Sequence, residues 1–128
     1  MNPVISAVLI IIFSISIITL VLNFGLPLIN QQKLDIDFQN GKNIVNKLII
    51  DISTLLSKPI NSSIEKEIEL SNGLIKFSNN TISYILSLET YNRTLDNIIF
   101  SNISIYKGKT KLKLTKISRN FIEVKILN

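Results

Sequence analysis

Between Pro3 and Ile29 the chain carries no acidic and no basic residue. A helix over that stretch, rising about 1.5 Å per residue, is about 40 Å long. The hydrocarbon core of a bilayer is about 30 Å thick and takes about 20 apolar residues to cross. Three roles suit such a segment: a cleaved secretion signal, a buried core helix, or a retained anchor. A secretion signal has a basic n-region, a shorter apolar core and a small-residue cleavage site. Here no Lys or Arg precedes the run and no Ala-x-Ala follows it. A soluble core helix shows a polar face, and this one has none. Residues 1–29 therefore read as a transmembrane helix. Pro3 suits its first turn, where a missing N–H is not needed. Phe24-Gly25-Leu26-Pro27 is expected to end or bend it, because Pro27 offers no donor and restricts Leu26. Ser16, Thr19 and Asn23 follow helical spacing and share one side, a candidate helix-packing face.

With 128 residues in all, the rest can form one modest domain. The chain has no Cys, His or Trp, which excludes disulfides, thiolate nucleophiles and His-containing metal sites. Residues 30–42 are polar and mixed and read as a linker, either a short connection or a continuation of the stalk. From Asn43 to Ser57 the period is helical: Val45, Leu48, Ile49, Ile52, Leu55 and Leu56 gather on one side, opposite Lys47, Asp51 and Thr54. After Lys58-Pro59 the period falls to two. Candidate strands run over 64–70, 74–77, 81–88, 98–106, 111–117 and 121–127, separated by turn-forming Asn, Gly and Lys. The expectation is an α+β chain in which the transmembrane helix is followed by a small soluble domain over 43–128. In that domain a short amphipathic helix packs on a small, mostly antiparallel β-sheet.

No catalytic constellation is present. General acid–base chemistry needs titrating groups brought together in a sheltered pocket, but Glu65, Glu67 and Glu69 alternate along one strand and read as a solvated row. Four glycines in 128 residues form no phosphate loop, and no His can activate the many Ser and Thr hydroxyls. No enzyme, cofactor or metal site is expected. The basic character lies at the C-terminus: residues 107–128 hold six Lys, one Arg and one Glu. Lys107, Lys109, Lys111, Lys113 and Lys116 make a candidate basic surface. Two uses fit it, a solvated or edge-guarding row and a docking face for an anionic envelope component. No nucleic-acid partner is expected, because only Tyr106 stands beside the lysines as a stacking platform. Asn61, Asn79, Asn92 and Asn102 each begin an N-x-S/T sequon. The first three fall at expected turns and Asn102 within an expected strand.

The opening N2-P-V-I-S-A-V-L-I-I-I-F-S-I-S-I-I-T-L-V-L-N-F-G25 resembles the N-terminal segment of archaeal type IV pilins and pilin-like surface proteins. Asn2, Pro3, Val4, Ile5, Val8 and Leu9 match its start, and Phe24-Gly25 its close. The resemblance covers residues 2–29. It implies a helix that lies in the membrane before assembly and in a filament core afterwards, with the globular part outside the cell. Its partners would be membrane lipid and the helices of pilin-like neighbours, including copies of the chain itself. The family carries a short basic leader ending in Gly. Only Met1 precedes Asn2, which leaves a permanently anchored relative or a start lying upstream as the expectations.

Lys33, Lys42 and Lys47 follow the apolar run, so the positive-inside rule points to a cytoplasmic C-terminus. The resemblance and the sequons point outward, and an exterior domain is the reading adopted. A membrane-anchored pilin-like structural or interaction protein of the archaeal envelope leads. The alternative is an accessory membrane subunit whose β-rich part binds an envelope or motility-filament partner.

Overall fold

The structure, a computed structural model, describes residues 2–127. Met1, the residue in front of the pilin-like opening, and Asn128 lie outside the described residues. Asn2 caps the first helix, its side-chain oxygen accepting the Val4 N–H at 3.0 Å, with Pro3 at the first helical position. Helix α1 (Pro3–Leu20) passes through a π-helical turn (Val21–Gly25) into α2 (Leu26–Leu56). The helical backbone is thus unbroken over Pro3–Leu56, a 54-residue element.

This overturns the expected pair of separate helices. Pro27 does not stop the helix. It lacks an N–H and its ring crowds the carbonyl one turn earlier, and the wider π turn lies immediately before it. Residues 30–42 are helical, so they continue the stalk and are not an irregular connection. Gln31, Gln32, Lys33 and Leu34 are good helix formers, so their polarity reports solvent exposure and not a break in the backbone.

The chain divides into two compact units between Ile36 and Asp37, inside α2. In the first unit no residue of α1 is buried. It is long and apolar enough to cross a membrane, and its isoleucines, valines and phenylalanines are covered by nothing in their own chain.

The second unit is the sheet domain. Its strands are β1 (Ser63–Leu70), β2 (Leu74–Ser78), β3 (Thr81–Leu86), β4 (Glu89–Thr94), β5 (Ile99–Phe100), β6 (Ile103–Ile105), β7 (Gly108–Ser118) and β8 (Phe121–Ile126). They form two four-stranded sheets, β1-β7-β8-β5 and β4-β3-β2-β6, where a single sheet was expected. The segment 98–106, read as one strand, breaks at Ser101-Asn102. Its first part pairs parallel to β8 and its second antiparallel to β2, so it hands the chain from one sheet to the other. Strand β4 carries no apolar alternation because it is an edge strand with only Tyr91 half-buried.

The last five turns of α2 serve both sheets. Val45, Leu48, Ile52 and Leu55 join Ile75, Phe77, Ile82, Leu112, Leu114 and Ile122 in one continuous core. Phe77 meets Phe100 edge-on at 5.6 Å, a favoured aromatic geometry. Toward the second sheet, Tyr84 is fully buried and its single Oη–H is shared between the carbonyls of Asp37 (3.1 Å) and Asn72 (2.8 Å). Toward the first sheet, Lys66 Nζ pairs with Asp51 at 2.9 Å.

Candidate functional site

The apolar helix is the first candidate. Ser16 Oγ donates to the Ile12 carbonyl and Thr19 Oγ1 to the Ile15 carbonyl, each at 2.9 Å. Ser14 does the same to Ile10 at 2.8 Å. A hydroxyl that bonds the carbonyl one turn back needs no partner in lipid. Asn23 differs. It lies in the π turn, it is exposed, and its amide makes no hydrogen bond among the described residues. A bare amide in hydrocarbon loses several kcal/mol relative to a bonded one. In hydrocarbon it would need to reach headgroup level or find a group on another helix. Spacing grouped the three residues, but only the hydrogen bonds separate Asn23 from the other two.

The lysine element occupies three settings. On the outer face of the first sheet, Lys109 stands opposite Glu69, Lys111 opposite Glu67 and Lys113 opposite Glu65. The glutamate row and the lysine row, separated by some forty residues in sequence, thus form one cross-strand ladder of opposite charges. Opposite charges facing each other across strands contribute about 0.2–1 kcal/mol where their side chains meet. On its other side Lys113 faces Lys125, and Thr115 faces Glu123. Strand β7 lies inside the sheet, not at an edge. Lys107 precedes β7 and is exposed.

Lys116 shares the inward parity of Leu112 and Leu114. Its Nζ donates to the carbonyls of Leu56 and Lys58, both at 2.8 Å. The Leu56 carbonyl is among the groups a helix leaves unpaired at its C-terminus, where a cation also meets the dipole favourably, and the Lys58 carbonyl lies two residues beyond. Lys116→Met keeps the stem and removes the charge. It is expected to lower the stability of the sheet domain by about 2 kcal/mol, the scale of hydrogen bonds from a charged group. The denaturant midpoint of the detergent-solubilised chain reads the change.

All four sequon asparagines are exposed. Asn61 and Asn79 have positive φ, 73° and 48°, and sit in connections. Asn92 lies in edge strand β4 rather than a turn, and Asn102 in the gap between β5 and β6 rather than a strand.

A further cluster escaped the sequence reading. Tyr91 Oη donates to Asn46 Oδ1 at 3.0 Å, and Arg93 Nη1 donates to the same oxygen at 2.9 Å. Lys42 Nζ stands 5.1 Å from the Tyr91 ring centre and 5.7 Å from that of Phe38, within cation–π range. Arg93 holds the Tyr91 hydroxyl below the usual phenol range, against the opposing effect of burial. No local signal marks this cluster, because its members come from α2 and β4.

A groove of about 260 Å³ between α2 and β1 is lined by Ile44, Leu48 and Ile68 together with Asn40, Lys47, Lys66, Glu67 and Glu69. No group of three or more metal-ligating side chains occurs among the described residues. An apolar, membrane-length helix joined to a small β-rich domain is the architecture of a membrane-anchored structural or interaction protein. No family model, no curated protein and no solved structure matches the chain.

Proposed function

We propose that the chain is a non-catalytic, pilin-like structural subunit of an archaeal cell envelope, anchored by its apolar helix with the sheet domain on the exterior side. In this reading the helix packs on helices of neighbouring copies through the face of Ser16, Thr19 and Asn23. One observation carries it: a single unbroken helix has no buried residue in Pro3–Leu20, yet its last turns form the centre of a folded core. The apolar part needs lipid or other helices as surroundings. The pilin-like opening, from Asn2-Pro3-Val4-Ile5 to Phe24-Gly25, supports the finer assignment, and Asn23 gives the helix a reason to seek a neighbour.

The chain lacks cysteine, so single-cysteine variants of the full chain report contacts in native membranes. Asn23→Cys and Thr19→Cys are expected to form disulfide-linked dimers of the chain, and Val21→Cys, on the opposite side of the helix, is not. Equal cross-linking at all three, or none at any, overturns the packing face. Protease treatment of the same intact cells is expected to release peptides from 60–127, and their full protection overturns the exterior placement.

The partly exposed Lys42–Tyr91–Arg93 cluster favours a second reading, an accessory subunit whose sheet domain binds another envelope protein. That reading expects asparagine-site cross-links to a different membrane protein in place of self-linked dimers.

A further inference from the structure

Four separate stretches of the sheet domain meet at the end where the chain enters it. Entry is at Asp37, whose carbonyl accepts from Tyr84 Oη at 3.1 Å. The same hydroxyl reaches the Asn72 carbonyl at 2.8 Å, and Ser71 Oγ reaches Asn40 Oδ1 at 3.1 Å, so the β1–β2 turn lies beside the entry point. Register brings the other stretches there. Leu74 faces Ile85, and Leu86 faces Glu89, which leaves Ser87 and Leu88 as a hairpin tip projecting past that row. Ile75 faces Ile105 and Leu70 faces Gly108, so Tyr106 and Lys107 cross between the sheets at this same end.

The exposed chemistry of this end is specific. Leu88 is 99% exposed and Tyr106 68%, and Lys107 is exposed beside it. Leu88 is the second residue of a two-residue turn whose positive-φ position, the one that favours Gly or Asn, is held by Ser87 at φ 57°. Its side chain contributes nothing to the core. Tyrosine and lysine are residues that settle at the headgroup level of a membrane, and leucine suits the acyl boundary beneath it. Glu89 follows Leu88 and offsets the charge of Lys107, so apolar contact rather than net charge drives the attraction. Eight helical residues separate Ile29 from Asp37, a tether of about 12 Å. That tether keeps the entry end within reach of the bilayer surface the apolar helix would define.

We infer that Leu88, Tyr106 and Lys107 form an interfacial foot by which the sheet domain contacts lipid headgroups. The inference rests on the membrane-anchor reading above.

The absence of tryptophan makes single-Trp variants of the full chain direct reporters in phosphatidylcholine vesicles with or without brominated acyl chains. Leu88→Trp and Tyr106→Trp are expected to emit to the blue of Ile117→Trp, which is partly exposed at the far end of β7. Bromine is expected to remove about half of their emission, as for side chains at the headgroup–acyl boundary, and to spare Ile117→Trp. Adding Leu88→Asp to Tyr106→Trp is expected to relieve that quenching. Phe13→Trp reports the anchor itself. Quenching of Phe13→Trp with none at Leu88→Trp and Tyr106→Trp overturns the foot and leaves the anchor standing. No quenching of Phe13→Trp overturns the anchor and the foot together. Blue-shifted but unquenched emission at Leu88→Trp means that protein, such as a second copy, covers this end, and also overturns the lipid contact.

Discussion

Gly41→Ala lowers the stability of the sheet domain by about 3 kcal/mol, although helix propensity alone predicts a gain of about 1 kcal/mol from removing a mid-helix glycine. The reason is Tyr84. A Cβ built on Gly41 overlaps Cζ, Cε1 and Cε2 of the Tyr84 ring, so the ring must move. It has nowhere to go at constant bonding. Its hydroxyl is held by the carbonyls of Asp37 and Asn72. Phe38 stands 5.6 Å away, centroid to centroid. On another side Gly73, at φ +81°, is itself so close that a Cβ there would come within 3.2 Å of the Tyr84 hydroxyl. Overpacking a full core costs about 1–3 kcal/mol, and each displaced hydrogen bond about 1 kcal/mol more. Together these exceed the propensity gain. Burial, and then the charge of Asp37, hold the Tyr84 hydroxyl above the usual phenol range, so it stays a donor at neutral pH. Chemical denaturation of the chain in detergent measures the loss. Tyr84→Leu, combined with Gly41→Ala, should recover more than 1 kcal/mol of the additive expectation, because the two sites are in contact. A Gly41→Ala chain as stable as the parent would remove Tyr84 from its place in this account.

Much of this was legible in the sequence because burial leaves a period. The stripe from Val45 to Leu55 marks the part of the helix that enters the core, and alternation marks β1, β2, β3, β7 and β8 to within a few residues. Four things were not legible, each for a physical reason. Polarity over 30–42 was read as a linker, but a solvated helix closes its own hydrogen bonds and needs no apolar residues. The π turn absorbs Pro27, and no residue pattern announces such a turn. Pairing is a third: the glutamates of β1 and the lysines of β7 looked like two independent charged rows, and only the register makes them a ladder. Parity alone could have separated Lys116 from the other lysines, since it falls in step with Leu112 and Leu114. Gly41 gave no signal, because the tyrosine that requires it lies over forty residues away.

The other large effect belongs to the apolar helix. Ile11→Asp with Ile15→Asp places two carboxylates one turn apart near the middle of the stretch from Pro3 to Ile29. On the insertion scale each acid at a helix centre opposes insertion by about 3 kcal/mol. The pair therefore weakens membrane partition by about 6 kcal/mol, some four orders of magnitude. The parent chain is expected in the carbonate-resistant membrane pellet and the double variant in the soluble fraction. Because no residue of α1 is buried in the folded chain, the sheet domain of the variant should unfold at the parent's denaturant midpoint. That pairing of results is the point of the experiment. A helix that merely completed the domain would lose stability along with its apolar character, whereas an anchor loses only its membrane. If the variant stays in the pellet as firmly as the parent, residues 11 and 15 do not lie in hydrocarbon, and the chain is held to the membrane by something other than this helix.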